Sequence, residues 1–207
     1  MSYFGLTGGI ACGKSTVAAM LGELGARIID ADQVGHTLLA SSESAFREIV
    51  QHFGREVLDA NGEIDRRRLG ATAFADPGRL RELNAILHPR IIERTEDMAR
   101  RSTAEDPSAV VVIDAALIFE AGIAGHFRKV IVAWCRSEQQ LERLMRKPGM
   151  SHEEAERRIA AQMPADEKRR RADYVIDCSG SLEATRAQVA ALYPKLQRLV
   201  RSSGRNE

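Results

Sequence analysis

Mostly apolar residues fall along this chain in short, nearly unbroken runs: Tyr3-Phe4-Gly5-Leu6, Arg27-Ile28-Ile29-Asp30, Val110-Val111-Val112-Ile113-Asp114, Lys129-Val130-Ile131-Val132-Ala133 and Tyr174-Val175-Ile176-Asp177. The runs are apolar at consecutive rather than alternating positions and, beyond the first, rich in β-branched residues. That pattern marks strands covered on both faces, as in a parallel sheet. Between them the period changes to that of a helix: Val17, Met20, Leu21 and Leu24 share one face, and Gly25 stands where such a helix stops. From Leu182, apolar Val189, Leu192, Leu196 and Val200 predict a final amphipathic helix kinked at Pro194, with a frayed tail from Arg201 to Glu207. Ser137-Glu138-Gln139-Gln140 and Ser151-His152-Glu153-Glu154 fit capping boxes, while Asp76-Pro77 and His88-Pro89 each place proline at a first helical position. Strands alternating with helices predict an α/β fold, a sheet sandwiched by helices.

Two segments interrupt that alternation. Residues 31–109 are mostly helical and longer than a simple crossover requires, so they predict a subdomain for a second substrate. The helical stretch from Arg136 to Ala172 is dense in positive charge, including Arg143, Arg146 and Lys147. Most of that charge fits a solvated face, the run Lys168–Arg171 above all. A mobile cover that brings one or two arginines onto phosphate accounts for the remainder, with Arg143 and Arg146 the candidates.

The first run leads into Gly8-Gly9-Ile10-Ala11-Cys12-Gly13-Lys14-Ser15-Thr16, which fits the phosphate-binding pattern Gly-x-x-x-x-Gly-Lys-[Ser/Thr]. Glycines let the backbone curl until several N–H groups share one cavity, and the following helix aims its positive end there. Gly8, Ala11, Cys12, Gly13, Lys14, Ser15 and Thr16 form the expected cradle. Lys14 can reach the β- and γ-phosphates, and the Ser15 hydroxyl can ligate Mg²⁺. Strand, loop and helix appear in the order the motif needs.

Composition narrows the setting. Thirty Lys and Arg against 29 Asp and Glu give a formal charge of +1 in 207 residues, which argues against a dedicated nucleic-acid binder. The longest apolar stretch, Ala109 to Phe119, is too short to span a bilayer and contains Asp114. Cys12, Cys135 and Cys178 show no metal-ligand spacing and, being three, no disulfide framework. Because the phosphate motif begins at Gly8, no secretory signal is expected before it, and the expected setting is the cytoplasm.

Several polar residues could carry chemistry. Asp30-Ala31-Asp32 closes the second run, where carboxylates are expected to face the phosphate loop and orient or deprotonate an attacking hydroxyl. Alternatively, Asp32 caps a helix beginning near Gln33. Asp114 ends the third run and could contact Mg²⁺ directly or through water, as a Walker-B aspartate does; Glu120 could cap a helix or pair with an arginine of the cover. His88 is a packing residue or a substrate contact, and Arg66-Arg67-Arg68 is expected to be an exposed helix start. Cys12, at a helix N-terminus, is expected to have a lowered thiol pKa, and alkylating it is expected to block nucleotide binding. Asp59-Ala60-Asn61-Gly62 fits a GTPase Asp-x-x-Gly only by accident, since no Asn-Lys-x-Asp follows and the segment is a polar turn.

Gly5-Leu6-Thr7-Gly8-Gly9-Ile10 with Gly13-Lys14-Ser15-Thr16, Asp30-Ala31-Asp32, Asp65-Arg66, Leu87-His88-Pro89, Leu117-Ile118-Phe119-Glu120, Gln140 with Arg143, Gln162, and Ala172-Asp173 before Val175-Ile176-Asp177 together resemble dephospho-CoA kinase, in order from about residue 3 to 190. The resemblance implies a P-loop kinase with a five-stranded parallel sheet of the nucleoside-monophosphate-kinase type. In that division the core is 1–31, 108–136 and 173–200, the acceptor (CoA) subdomain about 32–107 and the lid about 137–172. It implies phosphorylation of the ribose 3′-hydroxyl of dephospho-CoA by ATP with Mg²⁺. Lys14 would hold phosphates, Asp32 would be the base, Asp30, Asp32 and His88 would meet the acceptor, and Arg143 would act from the lid. The chain departs from the family's usual residues at Ala116 (commonly Pro), Lys147 (commonly Arg) and Cys178 (frequently Asn, near the expected adenine contacts). A different small-molecule P-loop kinase, for a nucleoside, a nucleotide or shikimate, and a nucleotide-dependent switch remain the alternatives.

Overall fold

In the computed structural model, which describes residues 3–203, the apolar runs become β1 (Tyr3–Gly8), β2 (Arg27–Asp30), β3 (Val111–Asp114), β4 (Val130–Trp134) and β5 (Tyr174–Asp177). They form one five-stranded parallel sheet ordered β2-β3-β1-β4-β5. The helices are α1 (Lys14–Glu23), α2 (Ala31–Thr37), α3 (Ser44–Phe53), α4 (Arg66–Phe74), α5 (Pro77–Glu105), α6 (Ser137–Met145), α7 (His152–Ala160), α8 (Ala165–Arg171) and α9 (Leu182–Ser203). The chain divides into two compact units, Met1–Ile29 with Ala99–Glu207, and Asp30–Met98.

The first unit holds the sheet. β1, the innermost strand, is buried at every residue, and β3 likewise, which explains their unbroken apolar runs. Phe4 and Leu6 from β1, Val112, Ile131 and Ile176 from neighbouring strands, and Val17 and Leu21 from α1 make one core with Val189, Leu192 and Leu196 of α9. Pro194 lies inside α9, as expected, and α9 continues to Ser203; the rest of the expected frayed tail, 204–207, lies outside the described residues. α1 ends where Gly25 takes a φ of 100°, a left-handed turn that glycine adopts without a Cβ penalty.

In the second unit, Ile49 and Phe53 of α3 bury fully together with Val57, while Leu69 of α4 and Ile86 of α5 are nearly as buried. Gly35 approaches Ile91 so closely that a Cβ would lie 3.1 Å from its Cδ1. Arg66–Arg68 begin α4, capped by Asp65, whose carboxylate accepts from the Arg67 and Arg68 N–H groups and is held below the usual carboxylate range by them. Asp59 folds a polar turn by accepting from Asn61 and Glu63 N–H, consistent with an accidental motif.

Four local expectations require correction. His88-Pro89 starts no helix: Pro89 lies within α5, and the Arg90 guanidinium reaches back to the Ile86 carbonyl at 2.6 Å, supplying a donor beside the interruption. Ser137 is the first helical residue of α6 rather than its cap, and its hydroxyl turns to Glu138 instead. Asp32 does not cap α2; Asp30 does, accepting from Asp32 N at 2.9 Å and Gln33 N at 3.0 Å. Finally, Lys168 is not solvated. Its side chain has no exposed surface, and its ammonium reaches the Ala116 carbonyl at 2.7 Å and Glu120 Oε1 at 2.8 Å, so Glu120 pairs with a lysine and not an arginine. A buried ammonium needs such partners. In the same run Arg169 stacks on the Trp134 ring at 4.2 Å, whose Nε1–H donates to Asp166.

Candidate active site

In the first unit, the carboxyl ends of β1, β3, β4 and β5 lie along one sheet edge, fixed by the pairs Leu6 with Asp114, Gly8 with Ala133, and Trp134 with Asp177. Ligands in open parallel sheets gather at that edge. The loop Gly9–Gly13 leaves β1 there. Gly8 needs no unusual φ; its constraint is clearance, because a Cβ would run into the Ala133 carbonyl. Gly13 is the left-handed residue, with φ 96°, and it caps α1. A Cβ on Gly13 would also lie 3.1 Å from Cys178.

Between these glycines, the Cys12 N–H closes a turn onto the Gly9 carbonyl at 3.1 Å, with Ala11 at φ 61°. A positive φ at the third residue alone makes this a type II turn. Holding a non-glycine residue there costs about 1–2 kcal/mol. Two side chains grip the turn: the Ile10 carbonyl accepts from Gln140 Nε2 at 2.9 Å, and the Ile10 N–H donates to Gln162 Oε1 at 2.8 Å. Gly9 makes room, since a Cβ there would lie 2.7 Å from the Gln140 amide nitrogen. By contrast, the N–H groups of Ala11, Gly13, Lys14 and Ser15 donate to no protein atom among the described residues. Four free donors beside a helix N-terminus suit an anion with several oxygens.

The Lys14 ammonium contacts Asp114 Oδ1, so the two charged groups expected at the site meet at the ends of neighbouring strands. Both side chains are largely buried. Ser15 is exposed on the first turn of α1, and Thr16 follows it half-buried. One hydroxyl and one carboxylate, with positions left for phosphate oxygens and water, fit a magnesium ion. No cluster of three or more His, Cys, Asp or Glu ligands occurs among the described residues. The Arg143 guanidinium, on α6, donates to the Cys178 carbonyl at 2.7 Å, while Arg146 pairs with Glu142.

Sequence reasoning did not see the three cysteines converge. Cys12, Cys135 and Cys178 are all buried around the loop. The Cys135 thiol donates to the Cys12 sulfur at 3.3 Å, which lowers the Cys12 pKa and raises that of Cys135; burial pushes Cys178 up to about 11. The lowering expected for Cys12 therefore has a neighbouring thiol as its leading cause, and with no exposed surface Cys12 meets an alkylating reagent only if the loop opens.

The second unit contains the remaining candidates. Asp30 is committed to capping α2, whereas the Asp32 carboxylate is exposed and accepts no hydrogen bond among the described residues. His88 is half-buried on α5, and burial lowers its pKa.

Comparison with known proteins places this arrangement. A family profile described as dephospho-CoA kinase matches residues 2–184. A Symbiobacterium thermophilum protein named dephospho-CoA kinase is 48% identical over 196 residues, covering 93% of this chain and 80% of its own. A crystal structure of a Thermus thermophilus protein superposes with a TM-score of 0.76 at 35% identity, over 94% of this chain and 97% of that one. The structure of dephospho-CoA kinase from Campylobacter jejuni gives 0.70 at 27%, over 95% and 98%. Family profile, sequence identity and superposition agree: the chain belongs to the dephospho-CoA kinase family.

Proposed function

We propose that this protein transfers the γ-phosphoryl group of ATP to the ribose 3′-hydroxyl of dephospho-CoA, giving CoA and ADP. The observation that carries the reading is the set of free N–H donors at Ala11, Gly13, Lys14 and Ser15 beside the Lys14 ammonium, in a chain of this family. The donors and Gly8–Thr16 hold the β- and γ-phosphates, with Lys14 turning from Asp114 to the phosphate oxygens. Ser15, and Asp114 through water, hold Mg²⁺, which when bound neutralises charge on the phosphates.

The acceptor meets Asp30 and, within the segment of about 32–107, Asp32 and His88, and residues of about 137–172 form the lid from which Arg143 acts. Asp32 takes the proton of the 3′-hydroxyl as its oxygen bonds to the γ-phosphorus and the bond to the β–γ bridging oxygen breaks. Asp32 rather than Asp30 suits this role because Asp30 already accepts two backbone bonds in capping α2. The near-neutral charge balance supports small-molecule substrates over nucleic acid, and no described helix is long and apolar enough to cross a membrane. We assign the protein to the cytoplasm.

An ADP-release assay tests the reading. Turnover is expected with ATP, Mg²⁺ and dephospho-CoA, and little with adenosine, AMP or shikimate as acceptor. Asp32→Asn is expected to lower kcat by at least about 100-fold with ADP affinity unchanged. Unaltered kcat in that variant removes Asp32 from the base role.

A further inference from the structure

We infer that Gln140 and Gln162 are positioning residues which preset the phosphate loop by gripping the Ile10 peptide groups. The inference rests on the reading that Gly8–Thr16 holds the phosphates of ATP. A type II turn differs from the commoner type I by a flip of its central peptide, here the Ile10–Ala11 bond. The planar trans peptide ties the two ends of that bond together: wherever the Ile10 carbonyl points, the Ala11 N–H points the opposite way. Gln140 holds that carbonyl toward α6 at 2.9 Å, so the Ala11 N–H faces away from α6 and has no protein partner. Gln162, in the turn between α7 and α8, takes the neighbouring Ile10 N–H at 2.8 Å and withdraws it from the donor set.

Three features show that the grip is built into the site. Gln140 is 4% exposed, so its amide is spent on this contact and not on water. Gly9 carries no Cβ where one would lie 2.7 Å from the Gln140 nitrogen. Ala11 takes a φ of 61°, a conformation an alanine leaves unless something holds it. Without the grip, the flipped peptide turns the Ile10 carbonyl, an acceptor, toward the side the Ala11 donor now occupies. That orientation opposes an anion.

Calorimetry of MgADP binding and steady-state kinetics on the full chain test this. Gln140→Ala and Gln162→Ala are each expected to weaken MgADP binding and raise the KM for ATP by about five- to tenfold. The KM for dephospho-CoA is expected to stay within about twofold. Adding Ala11→Gly to Gln140→Ala relieves the left-handed strain, and is expected to recover at least about threefold of the lost affinity. If Gln140→Ala does not fold, as circular dichroism would report, the half-buried Gln162 and its variant carry the test. MgADP affinity unchanged in the variants, or a loss that Ala11→Gly leaves untouched, overturns the inference alone. Wild-type protein that binds no MgADP overturns the phosphate-loop reading and the inference with it.

Discussion

At the scale of single residues, the acidic pair closing β2 shows how local chemistry separates two identical side chains. Asp30 and Asp32 are indistinguishable by type, yet the backbone N–H groups of the first turn of α2 claim Asp30. His88 offers a pH test. Burial keeps its pKa below the ordinary 6.5, so the unfolded chain takes up a proton at a higher pH than the folded protein does. Stability from this group is therefore present above about 6.5 and lost as the pH falls through the folded pKa. His88→Gln is expected to flatten the fall in urea midpoint between about pH 7 and about pH 5, and an equally steep fall in the variant would contradict this. The cysteines and glutamines show what a sequence conceals. Cys12 and Cys135 are 123 positions apart and Ile10 and Gln162 are 152 apart, so neither pairing leaves a periodic trace.

Among elements, every apolar run became a strand, but burial on both faces accounts only for the inner strands β1, β3 and β4. In β2 and β5, at the sheet's edges, Ile29 and Ile176 are buried while their neighbours are partly or fully exposed. Helix boundaries read less well. Pro89 sits mid-helix, and the Arg90 guanidinium bonds the Ile86 carbonyl, one residue past the carbonyl that the proline leaves without its usual donor. The Lys168–Arg171 run misled for a different reason: a charge count registers neither the Ala116 carbonyl nor Glu120, which receive Lys168. That carbonyl also accepts from the Thr7 hydroxyl at 2.9 Å, so α8, β1 and the turn after β3 meet at one oxygen. Lys168→Met keeps the volume but strips two bonds, leaving Glu120 with the Met163 N–H and no cation. It is expected to lower unfolding free energy by about 1–3 kcal/mol, read from urea denaturation. A variant as stable as the parent would show that the buried ammonium contributes nothing net.

For the molecule as a whole, the loop proposed to hold phosphate and the strands β1, β3, β4 and β5 lie in one compact unit, and Asp30–Met98 in another. The division could be expected from the long insertion, but its boundaries are set by packing that no periodicity records. Ligand binding to the folded state alone must stabilise it. At about 100 times its Kd, MgADP is expected to add about 2.7 kcal/mol and raise Tm by about 5–10 °C in a scanning calorimeter. No rise at that excess would mean that the nucleotide does not select the folded chain. One further consequence follows from the stacking of Arg169 on Trp134. The chain has a single tryptophan, and its indole is held between a guanidinium and Asp166, both on α8. Its emission therefore carries no background from other indoles, and any displacement of that short helix during turnover would be visible as a change in native fluorescence, without attaching a dye.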